Sequence, residues 1–338
     1  MSVGINFKGL LMFTFVLLLI SVGCSSNGVQ QDGETNEGVT KNFTLGTSSQ
    51  GGSYYVWGGA WSKIMNDNVS NSNIAVEITG GPSTNLQLIQ SGEMELGFTT
   101  AWLAGEAYDG VGWADKKHDK IRSLFPMYAS LLHVNTLEDK SVNSITDLEG
   151  KHLTTGMPGG TGEAATGKLV DILKLEDVKV SQMPVDAAAG NLKDGLSDAN
   201  SGAFGIPAPF LLDMETSHDV SLVGFNQEEM EKLLEAVPYW SAGVIPAGSY
   251  SFHNEDINTI AFWNYAVASK DLSEDFVYNL VKTTYEEVDG LLATVSSAQE
   301  EDFNKIEEIN IPLHPGALKY YKEEGIQIPE NLIPPENK

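Results

Sequence analysis

The sequence predicts an α/β fold of two lobes with a ligand cleft between them. Short β-branched runs alternate with longer helical runs from residue 41 onward, which is typical of α/β layers. The order strand, glycine-rich turn, helix, strand occurs twice, so we expect one such unit in each lobe. A chain of 338 residues with 41% hydrophobic content is long enough to bury two cores of ordinary domain size.

The N-terminal segment has the pattern of an export signal. Lys8 precedes an apolar run over 10–20, and small residues lead to Cys24, the only cysteine of the chain. A sole cysteine at this point resembles the lipobox of bacterial lipoproteins, although Ser21 departs from the usual aliphatic residue. An uncleaved membrane anchor and an incidental cysteine are the alternatives, but the apolar run is shorter than a membrane span requires. Residues 24–40 are polar and are predicted to form a flexible tether.

The first unit is predicted to have the order βαβαβ. The strands are expected at 41–45, 74–78 and 95–99, and the helices at 54–65 and 83–91. Glycine and hydroxyl residues crowd the loops before both helices, where they let the backbone approach a bound group closely.

The second unit repeats this order. Its strands are expected at 152–156, 178–183 and 198–205, and its helices at 163–173 and 187–196. The turn between its first strand and first helix is again rich in glycine.

The remaining elements connect or cover the lobes. We expect helices at 228–236 and 273–295 and a long apolar strand at 257–269 that passes between the lobes. The predicted boundaries are a signal peptide at 1–23, a tether at 24–40 from lipidated Cys24, a first lobe made of 41–128 and 246–338, and a second lobe at 129–245.

The composition argues against several classes of function. A formal net charge of −26 is unfavourable for binding nucleic acid. The 6 histidines are scattered without metal-binding spacing, and the sequence has no Gly-x-Ser-x-Gly motif. We therefore expect no enzyme activity, no cofactor and no metal.

One loop also matches a dinucleotide fingerprint. Residues 160–165 have the pattern Gly-x-Gly-x-x-Ala between a predicted strand and helix, with Asp186 downstream. The pattern is weak evidence for dinucleotide binding, because an exported protein has little access to nicotinamide cofactors. The same geometry serves any small anion at the start of a helix.

Three glycine-rich helix starts, at 48–54, 79–85 and 159–162, are expected to converge on the cleft. Taken singly, each is also explained as an ordinary turn or helix cap. Their recurrence at equivalent places in the two units favours a shared ligand site.

The chain has a single arginine, Arg122, at the start of a predicted strand. We expect it to pair on the surface, so a bidentate arginine clamp on a carboxylate is not expected in the cleft. A bound acid would instead be held by backbone N–H groups, hydroxyls, Asn85 and Tyr54. Several such bonds suffice for micromolar affinity, which requires about 8 kcal/mol net.

These segments resemble the TAXI family, the solute receptors of one branch of the tripartite ATP-independent periplasmic (TRAP) transporters. The resemblance covers nearly all of residues 41–328, and its motifs occur in the same order. They are LGTSSQGGSYY at 45–55, TGGPSTN at 79–85, SGEMELG at 91–97, DLEGK at 147–151, IPAGSY at 245–250 and PLHPGA at 312–317.

The resemblance implies a two-lobed periplasmic-binding-protein fold that closes on a small organic acid or amino acid, such as glutamate or 2-oxoglutarate. It implies no reaction, and it implies delivery of the ligand to a TRAP membrane permease. We expect an extracytoplasmic monomer held to the cell membrane by its lipid anchor. A ligand-binding component that feeds a membrane sensor kinase is the alternative. The expected ligand-binding residues are Ser49, Gly52, Ser53, Tyr54, Gly81, Asn85 and Thr100 in the first lobe and Pro158, Gly159, Gly160, Thr161, Gly205 and Pro207 in the second.

The sequence departs from the family pattern at two places. Residues 159–163 read Gly-Gly-Thr-Gly-Glu where the family usually has Gly-Ser-Gly-Thr-Glu, which moves one hydroxyl and removes another. Residues 99–102 read Thr-Thr-Ala-Trp where Gln or Asp is more common. His314 in the last motif is interpreted as part of a turn that starts a helix.

Overall fold

The computed structural model describes residues 40–337. The predicted signal peptide at 1–23, Cys24 and the tether up to residue 39 lie outside the described residues. The strands of the described part are β1 Lys41–Gly46, β2 Ser72–Glu77, β3 Leu96–Thr100, β4 Ile121–Leu137, β5 His152–Thr155, β6 Lys179–Gln182, β7 Ala199–Phe204, β8 Val220–Leu222, β9 Ser241–Ile245 and β10 Ile257–Ser269. The α-helices there are α1 Ser53–Asn68, α2 Pro82–Ser91, α3 Ala101–Asp109, α4 Thr161–Leu173, α5 Val185–Lys193, α6 Pro209–Met214, α7 Gln227–Ala236, α8 Glu274–Glu286, α9 Val288–Leu292 and α10 Pro315–Glu323.

Both predicted units are present as parallel strands joined by helices. In the first unit β1 pairs in parallel with β2 and β3, and in the second unit β5 pairs in parallel with β6 and β7. The whole sheet has the order β2-β1-β3-β10-β4-β7-β5-β6, with β8 paired to β4 and β9 to β10. The α/β fold class is therefore confirmed.

Two long antiparallel strands, β4 and β10, join the two units in the middle of the sheet. Strand β4 is continuous over 17 residues although it contains a proline. Pro126 does not interrupt it, because Pro126 lies opposite Tyr265 at a register shift between β4 and β10, where a ladder N–H is not required.

Two other expectations need correction. The predicted helix at 273–295 is two helices, because α8 ends before Glu287 and α9 begins after it. Arg122 lies outside the cavity described below, as expected, but it is buried: the residue is 3% exposed, and its guanidinium donates to both carboxylate oxygens of Glu336 at 2.8 and 2.9 Å. These hydrogen bonds from Arg122 lower the pKa of Glu336. Burial of the arginine stem within β4 explains the difference.

Aromatic packing fixes the position of helix α1, which leads into the candidate site. The Trp57 ring makes an edge contact with Phe98 at 5.2 Å between centroids and stacks near Phe125 at 6.1 Å. One turn later, the indole N–H of Trp61 donates to Oγ1 of Thr284 in α8 at 2.8 Å. These contacts anchor the helix, and its N-terminus points toward the second unit.

Candidate ligand-binding site

A cavity lies between the first and second units, and residues from both line it. It holds about 550 Å³ of space between atoms, a figure that includes its open mouth. The lining residues are Ser48, Ser49, Gly52, Ser53, Tyr54, Gly80, Gly81, Pro82, Tyr128, Ser130, Gly156, Met157, Gly160, Thr161, Gly162, Glu163, Val185, Gly202, Ala203, Phe204 and Asn264.

Three helices begin at this cavity. The N-cap residues of α1, α2 and α4 are Gly52, Gly81 and Gly160, and all three line the cavity. None of these N-cap residues makes a side-chain cap hydrogen bond. In α2 the first residue, Pro82, has no N–H, and the amide of Ser83 is paired with the carbonyl oxygen of Gly159. The first-turn N–H groups of a helix lack partners within the helix, and the helix dipole makes this end positive. The cavity is therefore suited to a negatively charged group.

The two units touch each other around the cavity. The amide of Ser83 in the first unit donates to the carbonyl oxygen of Gly159 in the second at 2.9 Å. The amide of Gly205 donates to Oγ of Ser53 at 3.1 Å. A Cβ atom on Gly80 would collide with the carbonyl oxygen of Pro158, so glycine is required there for close approach. The cleft is thus closed in this structure.

Neutral side chains form the part of the cavity nearest β4 and β10. The Tyr54 hydroxyl donates to Oδ1 of Asn264 at 2.6 Å, and Nδ2 of Asn264 donates to Oγ of Ser130 at 2.9 Å and to the carbonyl oxygen of Tyr128 at 2.6 Å. Burial, with smaller effects from Tyr128 and Tyr265, raises the pKa of Tyr54 well above its ordinary value. Tyr54 is therefore a neutral hydroxyl held in one orientation.

Glu163 in the first turn of α4 is the only charged residue among the described residues that line the cavity. Its Oε1 accepts a hydrogen bond from Nε2 of Gln182 at 2.7 Å, and its Oε2 accepts one from the amide of Gly159 at 3.4 Å. No arginine, lysine or histidine is among these lining residues. A bound anion would consequently be held by backbone amides and neutral hydroxyls.

The structure brings together about half of the residues expected from the sequence. Those that line the cavity are Ser49, Gly52, Ser53, Tyr54, Gly81, Gly160 and Thr161. Those outside its lining are Asn85, Thr100, Pro158, Gly159, Gly205 and Pro207. Three of the second set, Pro158, Gly159 and Gly205, make the contacts between the units described above.

Asn85 and Thr100 have partners within the first unit. Nδ2 of Asn85, which is fully buried, donates to the carbonyl oxygens of Gly46, Thr47 and Phe98 at 2.9–3.1 Å. Thr100 caps α3, because its Oγ1 accepts from the amide of Leu103 at 3.4 Å. Pro207 follows a cis peptide bond after β7, outside the cavity lining.

Sequence reasoning missed several lining residues on the central strands, Tyr128, Ser130 and Asn264 among them. Asn264 carried a usable signal, because it is a polar residue in the middle of an otherwise apolar run of β10. Tyr128 and Ser130 carried none, since β4 is buried along almost its whole length.

Within residues 40–337 no group of His, Cys, Asp and Glu side chains is arranged to hold a metal ion. Over the same range, no helix has the length and hydropathy needed to cross a membrane.

Solved structures share this fold at low sequence identity. MatC from Rhodopseudomonas palustris, determined with bound malate, is 13% identical with a TM-score of 0.56, covering 84% of this chain and 96% of its own. The periplasmic binding protein BugD is 12% identical with a TM-score of 0.53, covering 85% and 97%. A structure reported for glutathione import via GshT and the cystine ABC importer TcyBC of Streptococcus mutans is 12% identical with a TM-score of 0.51, covering 78% and 100%.

These similarities show the two-lobed fold of periplasmic substrate-binding proteins, which confirms the predicted architecture. The sequence itself matches the NMT1-like family over residues 45–325, a range that contains the cavity and nearly all the elements around it. The chain belongs to the NMT1-like family.

Proposed function

We propose that this protein is an extracytoplasmic receptor that captures a small carboxylate, glutamate or 2-oxoglutarate in type, and delivers it to a TRAP-type permease. The observation that carries the proposal is the convergence of three helix N-termini without side-chain caps on one cavity between the two units. The TAXI resemblance supports the choice of permease.

The cavity favours an anion without supplying a positive side chain. Each helix N-terminus is equivalent to roughly half a positive charge, and favourable partly buried geometries contribute up to ~2 kcal/mol each. Charge-assisted hydrogen bonds from amides and hydroxyls add about 1.5–3 kcal/mol each. Only part of this total survives the entropy and desolvation costs of binding, so micromolar affinity is a reasonable expectation.

A carboxylate is favoured over phosphate by the presence of Glu163 in the lining. A doubly charged phosphate would be repelled by this acid more strongly than a monocarboxylate group. An amino acid would place its ammonium group favourably near the same side chain. MatC, which shares the fold, was determined with bound malate, itself a small carboxylate.

The same proposal includes the organisation of the whole chain. We assign residues 41–128 and 246–338 to the first lobe and 129–245 to the second. Strand β4 contains the boundary between them, and β10 pairs with strands of both lobes. The receptor would be a monomer held at the membrane by lipidated Cys24, and it would not act on its ligand chemically.

Calorimetry on the purified protein tests the proposal. L-glutamate, L-glutamine, 2-oxoglutarate and malate are titrated, with phosphate and choline as controls for anion type and charge sign. We expect micromolar binding of at least one carboxylate and none of choline. Absence of heat and of thermal stabilisation with every carboxylate contradicts the proposal.

The permease assignment has a separate test. Uptake of the bound acid into membrane vesicles that contain the receptor and its permease should require an ion gradient and continue without ATP. Uptake that requires ATP would instead assign the receptor to an ABC transporter.

A further inference from the structure

The hydroxyl of Tyr128 is a buried polar group without a partner at the candidate site. Tyr128 is 1% exposed and lines the cavity, and its hydroxyl makes no hydrogen bond to any described residue. Buried polar side chains in folded proteins are nearly always paired, so an unpaired hydroxyl facing a cavity needs an explanation.

Three serine hydroxyls, those of Ser53, Ser130 and Ser297, lie near the Tyr128 hydroxyl but do not reach hydrogen-bond geometry with it. Burial raises the pKa of Tyr128 far above its ordinary value, and the nearby serines lower it by less. Oγ of Ser53 accepts from the amide of Gly205, and Oγ of Ser130 accepts from Asn264. The phenol therefore keeps its proton and remains free to donate it.

The backbone at Tyr128 is held firmly. Its carbonyl oxygen accepts a hydrogen bond of 2.6 Å from Nδ2 of Asn264, whose Oδ1 is held by the Tyr54 hydroxyl. Tyr128 is thus anchored in a central strand beside the first turn of α1. Such a preorganised donor loses little freedom when it binds a ligand.

We infer that the Tyr128 hydroxyl is a ligand-binding group, which donates a hydrogen bond to a carboxylate oxygen of the bound acid. This inference rests on the proposed function and extends it to a residue of the central sheet. The ligand oxygen supplies the acceptor that the described protein atoms do not. Closure of the cleft without a carboxylate leaves this hydroxyl unpaired, so Tyr128 also favours closure around the correct ligand.

The test compares wild-type protein with Tyr128→Phe by calorimetry, using L-glutamate, 2-oxoglutarate and malate as probes. The substitution removes one oxygen and leaves the ring. We expect affinity to fall about 10- to 100-fold for each acid that wild type binds, as for loss of a hydrogen bond to a charged group. The thermal midpoint without ligand should stay equal or rise, because the lost hydroxyl had no protein partner.

Tyr265→Phe is the matched control. Tyr265 is equally buried, but its hydroxyl donates to Oδ1 of Asn310 at 2.8 Å and does not line the cavity. We expect this variant to lose thermal stability and keep its affinity within twofold. Tyrosine absorbance gives a second readout, because ligand should perturb the near-ultraviolet spectrum of wild type and Tyr265→Phe more than that of Tyr128→Phe.

Failure of the inference can be distinguished from failure of the proposed function. If wild type binds an acid and Tyr128→Phe binds it within twofold as tightly, the inference is wrong and the proposed function stands. A lower thermal midpoint for ligand-free Tyr128→Phe also overturns the inference, because the hydroxyl then has a structural partner. If wild type binds none of the three acids, both are overturned.

Discussion

The amide of Ser83 donates a hydrogen bond to the carbonyl oxygen of Gly159 across the cleft, at 2.9 Å. This backbone contact joins the start of α2 in the first unit to the loop before α4 in the second. It brings Gly80 so close to Pro158 that a side chain at position 80 would collide with the opposing backbone. Closure of the cleft therefore depends on the absence of one Cβ atom.

Gly80→Ala should weaken ligand binding without contact between the new methyl group and the ligand. Gly80 has no positive φ angle, so alanine adds no backbone strain and acts through the blocked approach to Pro158. We expect affinity to fall tenfold or more, mainly through faster dissociation. Surface plasmon resonance measures the rates, and small-angle scattering should show less compaction on ligand addition than in wild type.

Gly167→Ala is the control for this prediction, because a Cβ atom there meets open space on α4. It should bind as wild type does. Unchanged dissociation in Gly80→Ala would mean that the ligand-bound cleft does not need this contact.

Asn85→Ala should act mainly on stability. The buried amide of Asn85 donates to three carbonyl oxygens, and its Oδ1 accepts from Oγ1 of Thr79 at 2.7 Å. Its removal leaves several buried groups unpaired, so we expect a loss of about 2–4 kcal/mol in the free energy of unfolding. Urea denaturation without ligand measures this loss.

Asn73→Ala serves as the comparison, since the amide of Asn73 makes an exposed hydrogen bond to Asn42. It should change the unfolding free energy by less than about 0.5 kcal/mol. If Asn85→Ala is as stable as wild type but binds poorly, Asn85 contacts the ligand directly, as the sequence resemblance implies.

The parts of the site that were predictable from sequence are those with local signals. Glycine and hydroxyl clusters mark helix starts, and the loops that begin α1, α2 and α4 were expected for this reason. Their meeting at one cavity followed from the rule that parallel strands place such loops at one edge.

The central strands of the site could not be predicted in the same way. The positions of Tyr128 and Asn264 depend on the register between β4 and β10, in which Ser130 pairs with Phe262 and Pro126 with Tyr265. More than 100 residues separate these partners in sequence, and the register shifts between them have no local signature. Asn85 shows the opposite problem. The sequence predicted it as a ligand contact, but a polar residue at a helix start can instead hydrogen-bond to the backbone and stabilise the fold.

Glu163→Gln should change ligand preference. Glu163 is the acidic residue of the described cavity lining, so its removal relieves repulsion of a second carboxylate and removes attraction for an ammonium group. We expect the ratio of malate or 2-oxoglutarate affinity to glutamate affinity to rise about three- to tenfold. Competition calorimetry with paired ligands gives this ratio directly.

Asp171→Asn on the exposed face of the same helix is the charge-matched control, and it should leave the ratio unchanged. If the affinity ratio is also unchanged in Glu163→Gln, the Glu163 carboxylate does not act on the ligand, and its role is limited to its hydrogen bonds with Gln182 and Gly159.

Acid should destabilise the protein through His133. Nδ1 of His133 donates to the carbonyl oxygen of Leu131 at 2.9 Å, and Nε2 accepts from the Tyr250 hydroxyl at 2.8 Å, so the ring is held neutral. Burial lowers the pKa of His133 to about 4. The unfolded chain, with a pKa of about 6.5, binds the proton more readily. The stability that the protein gains from keeping His133 neutral is therefore fully present above about pH 6.5, and it is lost as the pH falls toward 4.

This loss should amount to about 2–3 kcal/mol in the free energy of unfolding. Urea denaturation at pH 7.5, 5.5 and 4.5 measures it in wild type and in His133→Gln. The variant should be less stable at pH 7.5, because the pairing with Tyr250 is altered, but its stability should depend less steeply on pH between 6.5 and 4.5. Equal slopes in the two proteins would show that His133 does not remain neutral in the folded state over this interval.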